Sequence, residues 1–306
     1  MEFEKGKLEL IIPERMSGTR IDKGISHLLP QYSRGEIQNW LKKGLVRLNR
    51  QPVPPKTKVW AGEHISIKKD DPEPVIGNQP EDIALNIIYE DSSIIVIDKP
   101  PGLVMHPGNG NKTGTLLNGL LHYCPSLSEL PRAGIVHRLD KDTSGLVLIS
   151  KNQIARTSLV EQLQNRLVIK EYLAVVSGKV ENSGTVNAPI GRHRQNRTKM
   201  CVTSSGKEAI THYCPVKCHK DWTLVKCSIV TGRTHQIRVH LAHLGHPIQG
   251  DSVYGTRKSN VNFPRQALHA HRIQFKHPET LTPVMWQVEL PDDINQLLEA
   301  LHERRK

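Results

Sequence analysis

The chain has 306 residues, with 42 Lys and Arg against 30 Asp and Glu, for a formal charge of +12 at pH 7 and a sequence pI near 9.5. That length points to two domains, and basic residues spread through both halves favour a polyanionic partner. No run of about twenty apolar residues occurs, and the start MEFEKGKLEL lacks the apolar core of a signal peptide, so neither a membrane partner nor secretion is expected and the cytoplasm is.

The 5 cysteines are odd in number and follow no framework spacing, which suits reduced thiols. Cys214, Cys218 and Cys227 beside His219 invite comparison with a zinc site, but their spacing is not that of paired CxxC knuckles and apolar strands commonly bury Cys. No metal is expected.

In chain order, Ile21, Ile25, Leu28 and Leu29 recur at helical spacing before Pro30. Ser33 with Glu36 predicts a capping box for a second helix, whose apolar stripe is Ile37, Trp40 and Leu41 and whose C-terminal cap is Gly44. Leu45 to Asn49 predicts a strand, and Val59 to Ile67 one or two more. Around this small core lie Arg34, Lys42, Lys43, Arg47, Arg50, Lys56 and Lys58, a candidate RNA-binding face that would otherwise be an ordinary solvated one. From Lys69 to Asp82 the chain turns acidic and Pro-rich, which predicts a semi-extended linker. The expected domains are therefore 1–75 and 84–306, joined by 76–83.

In the second half, Ile87 to Tyr89 and Ile94 to Asp98 flank an EDSS turn and predict a hairpin. Lys99 to Gly108 holds three prolines and two glycines and predicts a rigid loop, in which His106 suits an RNA contact or a structural role. Thr115 to His122 and Ile154 to Leu167 predict helices, the latter with Leu159, Leu163 and Leu167 on one face. Tyr172 to Val176, Val202, Ala209 to Tyr213, Thr223 to Val230 and Val284 to Leu290 predict members of one large, mostly antiparallel sheet, hence an α+β fold. A helix over Ile237, Leu241 and Leu244 would leave Arg238 on an exposed side, RNA-facing or merely solvated. His235, His240, His243 and His246 lack a metal-binding HExxH arrangement. A last helix follows Asp292 or Asp293, with its basic end HERRK suiting the helix dipole.

The candidate site lies in RAGIVHRLDKDTSGLVLISK, Arg132 to Lys151. Two apolar runs, Gly134 to Leu139 and Leu146 to Ser150, flank the polar loop Asp140 to Gly145 and predict strand, loop, strand. The loop would hold a carboxylate on a rigid frame at an open edge; the same residues would also make a solvated hairpin with an Asx-type turn.

HRLDKDTSGLVLISK resembles the signature segment of the RluA family of pseudouridine synthases. DKPPGLVMHPG, KEYLAVV, GRTHQIRVHL and GDSVYG with RQALHA resemble further motifs of that family, in the same order. Among its members the chain is most similar to the D type, which acts on large-subunit ribosomal RNA, and residues 1–75 resemble the alpha-L, ribosomal protein S-four-like RNA-binding module. The resemblance implies a pseudouridine synthase fold, no cofactor and a ribosomal RNA partner, and a monomer is expected. It assigns Asp140 as the required carboxylate and Arg233 as the guanidinium that pairs with it. Tyr172 becomes the ring and hydroxyl beside the uracil, and Arg138 the side chain that fills the space left by a flipped base. Asp142 does not match the catalytic position. The segment TRKSNVNFP is shorter than in some D-type members and Asp98 stands where Asn is common, both of which bear on substrate choice. A transfer-RNA synthase and a non-catalytic ribosome-assembly factor are the competing readings.

Overall fold

The structure, a computed structural model, describes residues 7–29, 32, 34–68, 79–108, 110–193, 195–196, 199–255 and 263–303. The chain divides into two compact units, Met1–Val75 and Ile76–Lys306.

In the first unit, strand β1 (Lys7–Ile11) precedes helices α1 (Ile21–Leu28) and α2 (Arg34–Lys42). Strands β2 (Val46–Leu48), β3 (Gln51–Pro52) and β4 (His64–Lys68) follow. They form a four-stranded sheet in the order β1-β4-β2-β3. Ile21 and Ile25 of α1 and Ile37 and Leu41 of α2 pack with Leu8, Leu10, Val46, Ile65 and Ile67 of the sheet. Alternation in the strands and helical spacing in α1 and α2 thus converge on one core. Gly44 ends α2 with φ 71°, and the Leu45 amide donates back to the Trp40 carbonyl, a glycine cap that stops the helix where the sequence expects it. Strand β1 was not anticipated. The Ser33–Glu36 capping box, and much of the expected linker, lie outside the described residues.

The second unit is built on a nine-stranded sheet. Its elements run β5 (Ile87–Glu90), β6 (Ile94–Lys99), α3 (Leu116–Tyr123), β7 (Ser144–Ser150), α4 (Gln153–Gln164), β8 (Ile169–Ser177) and β9 (Gly184–Asn187). A small ribbon of β10 (Ile190–Arg192) and β11 (Met200–Val202) comes next. Then follow β12 (Ile210–Cys218), β13 (Trp222–Ile229), α5 (Gln236–His243), β14 (Leu268–Lys276), β15 (Pro283–Gln287) and α6 (Asp292–Glu303). The main sheet runs β5-β6-β7-β14-β8-β13-β12-β9, with β15 added to β14. All its neighbours are antiparallel except β7 and β14, which pair in parallel at His269–Ser144 and Ala270–Gly145. The fold is α+β with a mostly antiparallel sheet.

Strand β7 is buried along its whole length. Val147 and Ile149 join Ile95 and Ile97 of β6 against Leu116, Leu117, Leu120 and Leu121 of α3. Leu146 and Leu148 face the other way, with Ile94 and Val96, toward Leu159 of α4. The period of two sends alternate residues to two covered faces, so these strands read as unbroken apolar runs. Helix α4 starts on Asn152, whose side chain accepts the Ala155 amide at 2.8 Å, and it stops before Leu167, which is exposed and not on the buried face.

Gly134 to Leu139 does not form the strand expected of it. Residues Arg132, Ala133 and Gly134 all have positive φ, and only Ile135 makes an isolated bridge, to Ile149. The His137 side chain takes over where a strand carbonyl would act: its Nε2 accepts the Leu148 amide at 2.8 Å. A Cβ on Gly134 would lie 2.0 Å from the Ser150 carbonyl oxygen, so this approach of backbone to β7 requires glycine.

Candidate active site

Asp140 stands in the loop that leads into β7, closed by a Thr143 amide to Asp140 carbonyl bond of 3.1 Å. A second anchor lies below. Lys99, fully buried, donates its ammonium to the carbonyls of Pro100 (2.7 Å), Leu103 (3.0 Å) and Lys141 (2.9 Å). The Pro-rich loop after β6 and the Asp140 loop are thereby held on one cation. Burial pulls the pKa of Lys99 down to about 8. On the far side, buried Arg265 grips Asp293 at 2.6 and 2.8 Å and donates to the Asp142 carbonyl at 3.1 Å, which fixes the loop's other end. Asp142 therefore serves the loop through its backbone.

The Asp140 carboxylate remains 17% exposed, and its Oδ2 accepts from Arg238 Nη1 at 2.9 Å. The expected partner was Arg233, and this is corrected by the geometry. The Arg233 Nε donates instead to the Glu208 carbonyl at 2.9 Å. Arg233 sits before the first turn of α5, with its amide held by Gln236 Oε1, while Arg238 lies inside that helix.

Nor is Arg238 exposed: it is 5% accessible, because Gln236 to Leu241 are all buried. Its other edge meets Asp251 of the GDSVYG motif in a two-pronged pair, Nε to Oδ2 at 2.7 Å and Nη2 to Oδ1 at 3.0 Å. Asp251 also accepts the amides of Val253 and Tyr254 at 2.9 and 3.0 Å. Burial opposes charge on both partners. The hydrogen bonds and opposite charges outweigh it, lowering the pKa of Asp251 and raising that of Arg238. Asp251 is thus the member of the arrangement that sequence reading missed; its signal was its place in a motif beside Tyr254, whose ring lies 5.2 Å under the Arg238 guanidinium.

Tyr172, on β8, is buried, and both its burial and the Asp140 charge push its hydroxyl pKa up, so it is a neutral phenol. His235, at φ 57° before α5, points Nε2 toward Asp140 Oδ2 at 3.9 Å and bonds Tyr254 through Nδ1 at 2.9 Å. Its pKa is lowered, chiefly by burial. Arg138 is exposed, two residues before Asp140. His106 is half-buried, and burial followed by the charges of Arg132 and Arg138 lowers its pKa to about 4. Asp140, Tyr172, His235 and Arg238 therefore make one site, with Arg138 and His106 at its margin. Arg34, Lys42, Lys43 and Arg47 belong to the first unit, and all four are exposed.

Among the described residues no group of three or more His, Cys, Asp or Glu could hold a metal ion. Cys227 is buried, which pushes its thiol up to about 12, whereas Cys214 and Cys218 are exposed. His240 spends its ring on Thr211 and the Ala188 carbonyl, both at 2.9 Å, as a core residue. No helix among the described residues is long and apolar enough to cross a membrane.

Residues 93–243 match the RNA pseudouridylate synthase family, and residues 19–65 match the S4 domain. A protein of Nitrosomonas europaea called ribosomal large subunit pseudouridine synthase D is 48% identical over 301 residues, 96% of this chain and 88% of that one. The chain belongs to the RNA pseudouridylate synthase family. The protein of the same name from Neisseria meningitidis serogroup A is 46% identical over 97% of this chain and 82% of its own. Among solved structures, human RNA pseudouridylate synthase domain containing 1 aligns with a TM-score of 0.56 at 25% identity, covering 76% of this chain and 97% of that one. As a pseudouridine synthase, the chain is an isomerase with an S4 domain ahead of its catalytic domain.

Proposed function

We propose that this chain converts uridines of large-subunit ribosomal RNA to pseudouridine, with Asp140 as the group that engages the sugar. The observation that carries the reading is the Asp140–Arg238–Asp251 chain: a partly open carboxylate paired with and aimed by a buried guanidinium. The substrate class follows from near-full-length relatives that bear the same large-subunit name. The isomerisation breaks the bond from uracil N1 to the sugar C1′, turns the base and joins C5 to C1′. The proton leaves C5 and N1 gains one, so atoms and electrons balance without a co-reactant.

In this reading Tyr172, buried beside Asp140 and protonated, stacks on the uracil and offers its hydroxyl for the proton step at C5. Arg138 fills the stack when the target base is flipped. Arg34, Lys42, Lys43 and Arg47, with His106 at the catalytic margin, contact phosphates. The chain acts as a cytoplasmic monomer of two domains, 1–75 and 84–306.

The test is release of tritium from uracil C5 of large-subunit ribosomal RNA by the purified chain, beside the same assay on transfer RNA. Release from ribosomal RNA, abolished by Asp140→Asn, is expected. Release confined to transfer RNA would move the substrate, and turnover by Asp140→Asn at the parent rate would remove the carboxylate from the chemistry.

A further inference from the structure

We propose that Lys170 forms the floor of a site for one backbone phosphate of the substrate RNA, approached over Gly232; the proposal rests on the RNA-modifying reading above. Lys170 opens the β8 motif that carries Tyr172, and two residues along a strand bring side chains to the same face, roughly 6 to 7 Å apart. A phosphate there would stand about one nucleotide from the base at Tyr172.

Lys170 is half-buried, yet no carboxylate and no hydrogen-bond acceptor pairs with it among the described residues. Its neighbour Glu171 points to the other face, where Arg272 holds it at 3.2 Å and Lys226 at 3.9 Å. Withdrawing an unpaired ammonium from water is costly, and an anion arriving there offsets that cost. Burial draws its pKa down to about 8, which agrees with the missing partner.

The way in is open for a specific reason. Gly232 is exposed and its φ lies outside the left-handed region, so the backbone does not require glycine there. A Cβ built on it would meet only the Lys170 ammonium, at 3.8 Å. What glycine supplies at this position is access to the cation. A second donor lies within reach of the Lys170 charge. The His137 Nε2 accepts the Leu148 amide, and its pKa is lowered to about 3 by burial and then by Lys170, so the neutral ring carries its proton on Nδ1. That N–H has no partner among the described residues.

The experiment uses the full chain and a stem-loop of large-subunit ribosomal RNA that it binds. Dissociation constants are measured against potassium chloride for the parent, Lys170→Met, Lys170→Arg and Gly232→Val. Binding is then repeated with RNAs in which single phosphates are replaced by neutral methylphosphonates. Lys170→Met should weaken binding about five- to tenfold at 0.1 M salt and lower the log-log salt slope by about 0.7, the share of one neutralised phosphate. Lys170→Arg should keep the slope, and Gly232→Val should reproduce the weakening with the lysine intact. One methylphosphonate position should weaken the parent and leave Lys170→Met unaffected.

Removing an unpaired, half-buried charge should not lower the melting temperature. Should Lys170→Met fail to fold, Gly232→Val and the parent scan decide. Unchanged slopes, or equal losses for parent and variant at every phosphate, overturn the site. Because every readout is binding, absence of pseudouridine in this RNA would count against the proposed function and leave the phosphate site to be judged by the scan.

Discussion

Asp140 and Arg238, 98 residues apart in sequence, meet through a single hydrogen bond of 2.9 Å. Arg238 is not free to follow the carboxylate, since Asp251 holds its other edge at 2.7 and 3.0 Å and is itself fully buried. The position of Asp140 is therefore set from α5 and the GDSVYG turn as well as from its own loop.

Arg238→Ala should lower the single-turnover rate on saturating RNA at least a hundredfold, about 2.7 kcal/mol in barrier, because Asp140 loses a charge-assisted partner in a water-poor setting. It should also destabilise the fold by about 3 to 5 kcal/mol, the cost of leaving Asp251 buried and unpaired. Arg238→Lys, whose compact ammonium lacks the planar fork that spans Asp251 and Asp140 together, should keep more stability than activity. Arg233→Ala should stay within a few-fold of the parent rate. Equal losses in Arg233→Ala and Arg238→Ala would deny Arg238 its special place.

Asp251 supplies a pH test. Its pKa in the folded chain is depressed, so it contributes stability at pH values above the unfolded aspartate value of about 3.9, and that contribution fades as pH falls through the folded value. Asp251→Asn should therefore melt well below the parent at pH 7, and the gap should shrink as pH drops below about 4. Urea midpoints of both proteins from pH 3 to 7 measure this. A constant gap would mean that the carboxylate's packing matters and its charge does not.

Helices α1, α3 and α4 and the β5–β6 hairpin were legible because each is local: spacing, a cap and a turn lie within a dozen residues. The Asp140 loop was legible as a motif. Strand β14 was not, although it joins β7, β8 and β15 at the centre of the sheet. Its polar residues hide the apolar signal, and they are tolerated because their partners come from far away. His269 bonds Ser144 at 2.9 Å and Arg272 meets Glu171 at 3.2 Å. Arg238 was misread for the same reason. A helix buried on nearly every side has no solvated face to infer, and the Asp251 that makes a buried guanidinium tolerable lies 13 residues on. Strand β1 was missed although its signal is local, the alternation of Leu8 and Leu10 in KLELI.

Gly145 links the catalytic loop to that hidden strand. It has φ 109°, and a Cβ there would lie 2.3 Å from the Ala270 carbonyl oxygen and 2.6 Å from its nitrogen, where β7 and β14 run in parallel. Gly145→Ala, on the fully buried β7, meets the backbone of β14, so no flexible side chain can yield. We expect a loss of at least about 3 kcal/mol and little soluble protein, against a loss of about 1 to 2 kcal/mol for Gly44→Ala, where φ is 71° but a Cβ meets nothing within 4 Å. A parent-like melting curve for Gly145→Ala would show that β7 and β14 can separate without cost.

The basic face of the first unit can be tested apart from the catalytic site. Lys42, Lys43 and Arg47 are exposed, while Leu41, Val46 and Leu48 between them carry the packing, so replacing all three by Ala should leave the fold intact. Arg34 is excluded from the set. It donates to Asp22 Oδ2 at 2.8 Å, and Asp22 is fully buried. Burial opposes the Asp22 charge, but hydrogen bonds from Gln38, Arg34 and Arg20 prevail and bring its pKa to about 2. An Arg34 substitution would thus mix stability with binding. Every phosphate left without its cation lowers the log-log salt slope by about 0.7 to 0.9, so the slope of the triple variant should fall by about 2 to 2.7 if all three side chains touch RNA. Its single-turnover rate at saturating RNA should match the parent, since phosphate contacts position the RNA and the chemistry lies at Asp140. Titrations at 0.05 to 0.3 M salt with one long ribosomal RNA fragment measure the slope, and rapid-quench tritium release measures the rate. An unchanged slope would make this face a solvated one, and a slower saturated rate would mean that the first unit also sets how the target uridine is presented.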